Sequence, residues 1–391
     1  MIVSILGMSG MDEKKESKTT AFYNCEKLGK KSGDYHNATD MLLKNYDDKF
    51  YFLGTKKAID FQKKLLDIPQ NVEFIEIEDN SLEDIFEKVY DLLKQSDKED
   101  VILDITHGFR HQPISAIFSA TLHRFLNKKN LKIIFAKQIV EYKEYEYIYL
   151  DNYLDIVQLS LLLTGFIRTL NFVESIDIEG FETLSFEKFS KALLSNNFFA
   201  LEKSYKNLTA TLQRAKKDHR FDHLKDLFEE IEETLSVFRG FKNLPIYKKY
   251  LIVARLMAEK NYVLLSITYL FEAVRYYVSE KFYEKKLVSK RYWENNNRYT
   301  INQNIISFVT QKSLLNYTKN YYDKKDPSLY KQNAELFEKI EREYIKLKDL
   351  RNKLTHINSQ ENMEGIEKQL KVQLDAISDI IEKDILAQMK I

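Results

Sequence analysis

Arg351, Asn352 and His356 sit close together on a stretch that reads as an amphipathic helix. Ile340, Tyr344, Leu347, Leu350, Leu354 and Ile357 recur there at three- and four-residue spacings. An imidazole titrates near neutrality and can move protons as a general base or acid. A guanidinium can hold phosphate oxygens in pairs and stabilise charge that develops on them. On a helix, Asn352 and His356 share a face, whereas Arg351 and His356 do not. One helix therefore makes an open, incomplete site, and two copies meeting across a two-fold axis would gather both sets of residues in one cleft. The bland alternative is a surface arginine plus a helix-end histidine interacting with the helix dipole. Arg214 and His219 repeat the Arg/His spacing without an asparagine and are read as ordinary helix polarity.

A second constellation lies near the other end of the chain. Val101-Ile102-Leu103 is a short apolar run of the kind that forms a buried strand in a parallel sheet. It meets Asp104, Thr106, His107 and Gly108, and then a helical stretch from Phe109 to Phe125 with Pro113 near its start. Open α/β sheets bind ligands just beyond the carboxyl ends of their strands. The N–H groups at the start of the following helix favour anions. Gly7-Met8-Ser9-Gly10 follows an apolar run at Met1–Leu6, and Gly54-Thr55 follows another at Phe50–Leu53. Strand ends of a parallel sheet lie on one edge, so these turns can line one pocket. The candidate ligand contacts are Gly7, Met8, Ser9, Gly10, Gly54, Thr55, Thr106, His107, Gly108 and Arg110. Each turn taken singly also fits ordinary loop chemistry, and the Asp104–Thr106 step fits a strand-end turn with a buried histidine. The first turn is not a G-x-G-x-x-G and gives no support for a nicotinamide cofactor.

The elements that must position these residues follow from the rest of the chain. With 391 residues, two domains are expected and three are possible. Further apolar runs at Val72–Ile77 and Leu131–Phe135, with helical stretches Lys56–Leu66 and Leu82–Leu93 between runs, give the strand–helix alternation of a doubly wound parallel sheet. Tyr142–Leu150 alternates as a half-exposed edge strand or hairpin would. From about Asp155 the chain turns helical. Phe198–Leu227 is rich in lysine and arginine and is read as a solvated face rather than an RNA-contacting one, and Gly240 with Pro245 marks a boundary.

Composition narrows the function classes. Hydrophobic residues are 44% and charged residues 30%, as in a globular protein with a real core. The net charge of +1 leaves any nucleic-acid surface to a local basic patch. The single cysteine, Cys25, forbids an intramolecular disulfide and fits a reducing cytoplasm. No signal peptide is read at the N-terminus. Ile156–Val173 contains Gln158, Arg168 and Asn171 and reads as a buried helix rather than a membrane span. His219 and His223 lack the intervening glutamate of a zinc protease, and no metal cluster is evident.

Asp104-x-Thr106-His107-Gly108-Phe109-Arg110 with Pro113 resembles the D-x-T-H-G-F-R motif of CRISPR-associated DxTHG proteins. Those proteins carry a CRISPR-associated Rossmann-fold (CARF) domain that senses cyclic oligoadenylates. The Ser4-Ile5-Leu6-Gly7 start, downstream Thr20, Phe22 and Tyr23, and Leu53-Gly54-Thr55 resemble the same family. One place departs from it: Ala136-Lys137-Gln138 stands where members often have a glycine-containing turn. Arg351-Asn352-x-x-x-His356 resembles the R-x4-6-H motif of HEPN ribonucleases, and Phe271-Glu272-Ala273-Val274-Arg275 resembles part of that domain's first long helix.

These resemblances imply an α/β N-terminal Rossmann-like CARF domain at 1–154, a helical connector at 155–245 and an all-α C-terminal HEPN domain at 246–391. They imply a type III CRISPR accessory endoribonuclease, cytoplasmic and acting as a homodimer or higher homo-oligomer. Its substrate would be single-stranded RNA, and its activator a cyclic oligoadenylate, with the tetramer the expected ring. It would need no cofactor, metal or membrane. The substrate's own 2′-OH would attack the adjacent phosphate. His356 would transfer the proton, Arg351 would hold the phosphate, and Asn352 would orient one or the other. Two rivals remain. In one, the sensing domain itself cleaves the cyclic ligand, with Thr106 or His107 positioning the 2′-OH. In the other, the protein is a non-enzymatic regulator in which Arg351 and His356 are structural.

Overall fold

The computed structural model describes residues 1–11, 17–78, 81–95, 100–126, 131–172, 174, 176–311, 328–355 and 363–390. The chain divides into two units, Met1–Leu162 and Leu163–Ile391.

The first unit is a three-layer α/β structure. Its strands are β1 (Ile2–Ile5), β2 (Ala21–Asn24), β3 (Gly33–Tyr35), β4 (Phe50–Gly54), β5 (Val72–Glu76), β6 (Val101–Asp104), β7 (Leu131–Val140) and β8 (Glu144–Tyr149). They form one sheet in the order β3-β2-β8-β7-β6-β1-β4-β5. The five strands from β7 to β5 are mutually parallel, and β8 runs antiparallel to β7. The apolar runs that read as buried strands are these five.

Both faces of the sheet are covered, which is why the strands are apolar without clean alternation. Helices α3 (Leu82–Gln95) and α4 (His111–Leu126) pack Ile85, Val89, Leu93, Ala116 and Ala120 against Val3, Ile5, Leu103 and Ile133. On the other face, α1 (Ala38–Asn45) and α2 (Lys56–Leu65) pack Ala38, Met41, Ala58 and Ile59 against Ile2, Leu6, Phe50 and Phe52.

Three features differ from the sequence expectation. β2 and β3 are too short and polar to signal themselves. β8 makes the expected hairpin, antiparallel to β7, but it is internal rather than an edge, because β2 pairs along its outer side. Ala136-Lys137-Gln138 is not a turn: β7 continues through it and pairs with β8, with a register shift between Gln138 and Val140.

The second unit is helical. A long helix, α5 (Asp151–Thr169), carries the chain into it. Then follow α6 (Leu184–Leu194), α7 (Phe198–Ala215), α8 (Lys225–Thr234), α9 (Ile246–Glu259), α10 (Val263–Glu284), α11 (Lys290–Asn295) and α12 (Arg298–Gln311), and later helices Ala334–Thr355 and Met363–Glu382. The α10 helix is buried along most of its length and packs on α9, α12 and Ala334–Thr355. The expected α/β unit followed by a helical region is what the chain forms. Among the described residues, no helix is long and apolar enough to cross a membrane.

Candidate functional site

The first site forms where the sheet reverses its winding. After β1 the chain first lays β2 and β3 at the far edge, then places β4 and β5 on one side of β1 and returns to place β6 on the other. The helices α1 and α2 cover one face and α3 and α4 the other, so the winding reverses between β1 and β6, and a crevice opens at the carboxyl ends of these two strands. A cavity of about 110 Å³ lies there, lined by Gly7 and Met8 after β1, Thr55 after β4, and Gly108, Phe109 and Gln112 around the start of α4. Of the candidate contacts, Gly7, Met8, Thr55 and Gly108 thus come together around one space.

Backbone geometry explains the glycines. Gly108 has φ +103°, and a Cβ there would meet Ile5 Cγ2 at 2.6 Å. A Cβ on Gly7 would meet His107 Cβ at 2.9 Å, so the two loops touch only because this side chain is missing.

The other candidates do not line this cavity. Thr106 donates its hydroxyl to Asp104 Oδ1 and accepts the Ala136 N–H at 2.9 Å, tying β6 to β7. The ring Nε2 of His107 accepts the Ala38 N–H at 3.3 Å and lies 3.4 Å from the Ser9 hydroxyl. The neutral imidazole then carries its proton on Nδ1, and burial pushes its pKa from the ordinary 6.5 down to about 4. Gly10 is buried with φ +106°, and Gly54 packs tightly against Leu6. Arg110 is exposed between Gly108 and α4.

Asp104 is fully buried. It accepts from the Ser4 hydroxyl at 2.7 Å as well as from Thr106. Burial raises its carboxyl to about 6, and the hydroxyl donors hold it from going higher.

Sequence reasoning missed the residues that brace the first loop. Asn37 donates to Ser9 O at 2.9 Å and to Gln62 Oε1 at 3.1 Å, while its own Oδ1 caps α1 at the Asp40 N–H. Gln62 donates to Gly7 O at 2.7 Å. Gln112 accepts the Phe109 N–H at 2.9 Å. Asn37 carried a readable signal, an asparagine before a helical stretch. The glutamines carried none.

The second site lies in the helical unit. Arg351 and Asn352 are half-buried near the end of helix Ala334–Thr355. The Arg351 guanidinium lies 4.6 Å from the centre of the Phe271 ring on α10, and Tyr344 stacks on the same phenyl at 4.7 Å. Below it, buried Arg275 donates to Glu272 at 2.6 Å and to Gln303 on α12 at 2.8 Å. Phe271, Glu272 and Arg275 are thus the α10 residues beside Arg351. His356 lies outside the described residues. Among the described residues, no group of three or more His, Cys, Asp or Glu side chains could hold a metal ion.

Residues 2–139 match the family model of the CARF domain of the CRISPR system endoribonuclease Csx1. The first unit carries a CARF domain. No curated protein matches the chain. Among solved structures, Enterococcus italicus Csm6 bound to cyclic hexa-2′-fluoro-hexa-dAMP is similar at 12% identity and a TM-score of 0.42, over 99% of this chain and 94% of that one.

Proposed function

We propose that this protein is a ribonuclease of CRISPR antiviral defence, switched on by a cyclic oligoadenylate. The observation that carries the reading is the CARF match over residues 2–139, with a pocket at that domain's topological switch point built from Gly7, Met8, Thr55, Gly108 and Phe109. An oligoadenylate is a polyanion with flat bases. The N–H groups around the start of α4 suit its phosphates, and exposed Met8 and Phe109 suit its bases.

In this reading the helical unit is a HEPN domain cutting single-stranded RNA without a metal. Arg351, held on Phe271, binds the scissile phosphate, and Asn352 orients it. His356 relays the proton from the attacking 2′-OH. The site closes when two copies bring their Arg351-bearing helices together. A two-fold pocket across such a dimer matches the symmetry of a cyclic tetramer. The expected three-part layout, with a connector at 155–245 and the nuclease domain at 246–391, belongs to this proposal.

The rival in which the CARF domain cleaves its own ligand is less favoured. The Thr106 hydroxyl and His107 Nε2 are already committed to Asp104, Ala136 and Ala38.

Substitution His356→Ala separates the readings. It abolishes RNA cleavage in the main reading, spares ligand cleavage in the first rival, and changes nothing for a regulator. RNA cleavage that survives both His356→Ala and Arg351→Ala overturns the nuclease assignment.

A further inference from the structure

A second cavity in the helical unit is built from residues the nuclease proposal does not use. It has a volume of about 520 Å³, within the range of small-ligand sites. Tyr276, Glu280, Tyr283 and Glu284 line it from one face of α10, where their spacing repeats every turn. Ile246, the first residue of α9, Trp293 from α11 and Arg298, the first residue of α12, complete the wall.

The wall is aromatic and ordered into a pillar. Tyr283 and Trp293 stack at 4.3 Å with their planes 9° apart, and the Arg298 guanidinium lies 3.8 Å over the indole. Arg298 also donates to the Trp293 carbonyl at 3.1 Å, which fixes where its fork points.

Glu280 is different from its neighbours. Glu284 accepts the Lys281 ammonium at 2.8 Å, but Glu280 takes no hydrogen bond or ion pair among the described residues. Burial and the Glu284 charge raise its carboxyl to about 7, against the opposing charges of Arg298 and Lys281. A half-buried acceptor facing a cavity without a donor is a group waiting for one.

We infer that this cavity binds a guanine base of single-stranded RNA, with Glu280 accepting from the base's N1–H and N2–H₂, Arg298 donating to O6 and N7, and the aromatic wall packing its face. Guanine alone among the four bases offers both edges: paired donors for a carboxylate and paired acceptors for a guanidinium. Unstacked RNA bases are held in this manner, on aromatic rings or guanidinium planes with their edges hydrogen-bonded. The choice of an RNA base rests on the ribonuclease reading.

Trp293 is the only tryptophan in the chain, so its fluorescence reports on this cavity without labelling. The experiment titrates the full chain in EDTA with GMP, AMP, CMP and UMP, and with free arginine, which shares guanine's paired donors. It needs neither activator nor cleavage, so its outcome is separate from that of the ribonuclease assay. The expected result is saturable quenching by GMP at least tenfold tighter than by the other nucleotides, and a tenfold loss for GMP alone in Glu280→Gln. Equal responses to all four nucleotides overturn the inference without any variant. So does a signal that saturates with free arginine but not GMP, which marks a protein-binding pocket. A signal that follows protein concentration instead marks an interface between copies and overturns it as well.

Discussion

The Nε2 of His107, in the loop after β6, accepts the backbone N–H of Ala38, the first residue of α1, at 3.3 Å. An imidazole after one strand thereby satisfies one of the orphan donors at the start of a helix on another segment. The bond requires a neutral ring, and the ring's depressed pKa keeps it neutral. His107 thus ties the loop after β6 to the start of α1 and, through the Ser9 hydroxyl 3.4 Å away, to the loop after β1.

Its pH signature follows. The unfolded chain binds the proton near 6.5 and the folded protein only near 4. The contribution of His107 to stability is complete above 6.5 and is lost as the pH falls from there toward 4. In His107→Gln, that acid-side loss disappears from denaturant melts taken across this range. At pH 7, His107→Ala costs on the order of 1–3 kcal/mol through the stranded Ala38 N–H. An imidazole whose NMR shifts titrate near 6.5 in the folded protein would contradict this account.

Asp104 acts in the opposite sense. Its folded pKa of about 6 exceeds the ordinary 3.8, so its contribution to stability falls as the pH rises between those values. Relative to the wild type, Asp104→Asn gains stability over that interval, by on the order of 2–3 kcal/mol. Denaturant midpoints at pH 4 and pH 7 measure the gain. Parallel curves for the two proteins would assign the burial cost to other groups.

At Gly108 a single methyl group meets both strain and a clash. Its φ of +103° is strained for any other residue, and the added Cβ would press on Ile5 and Gln112. Gly108→Ala is expected to cost on the order of 1–3 kcal/mol. It also weakens ligand binding, because Gly108 lines the cavity. Calorimetric titration with cyclic tetra-adenylate reads the second effect. Unchanged affinity would move the ligand away from this pocket.

Much of this arrangement is legible in the sequence, and the reason is local. The five parallel strands announce themselves as apolar runs because both of their faces are buried, and the turns after β1, β4 and β6 carry the small residues that close approach demands. What stays hidden is long-range. Gln62 reaches Gly7, and Asn37 reaches Ser9, across stretches of chain that no local pattern connects. β2 is a strand because β8 offers it an edge, and β3 because β2 offers one in turn. The stretch from Phe271 to Arg275 is singled out by its resemblance, but that the Phe271 ring carries Arg351 shows only in the structure.

That stack predicts a division of labour. Phe271→Ala removes the surface that orients the guanidinium, a contact worth roughly 0.5–2 kcal/mol. RNA cleavage should fall about tenfold or more while activator binding is unchanged. Arg351→Lys keeps the charge but loses the planar fork, so it rescues little of the activity that Arg351→Ala removes. Full activity in Arg351→Lys would reduce the role of Arg351 to a point charge.

The most direct test of the central claim is the rate of cleavage of a fluorescent single-stranded RNA in EDTA, with and without cyclic tetra-adenylate. The account predicts slow or absent cutting without the ligand and rapid cutting with it, lost in Arg351→Ala and His356→Ala. Cutting that ignores tri-, tetra- and hexa-adenylate rings alike, or that persists in both variants, would contradict it.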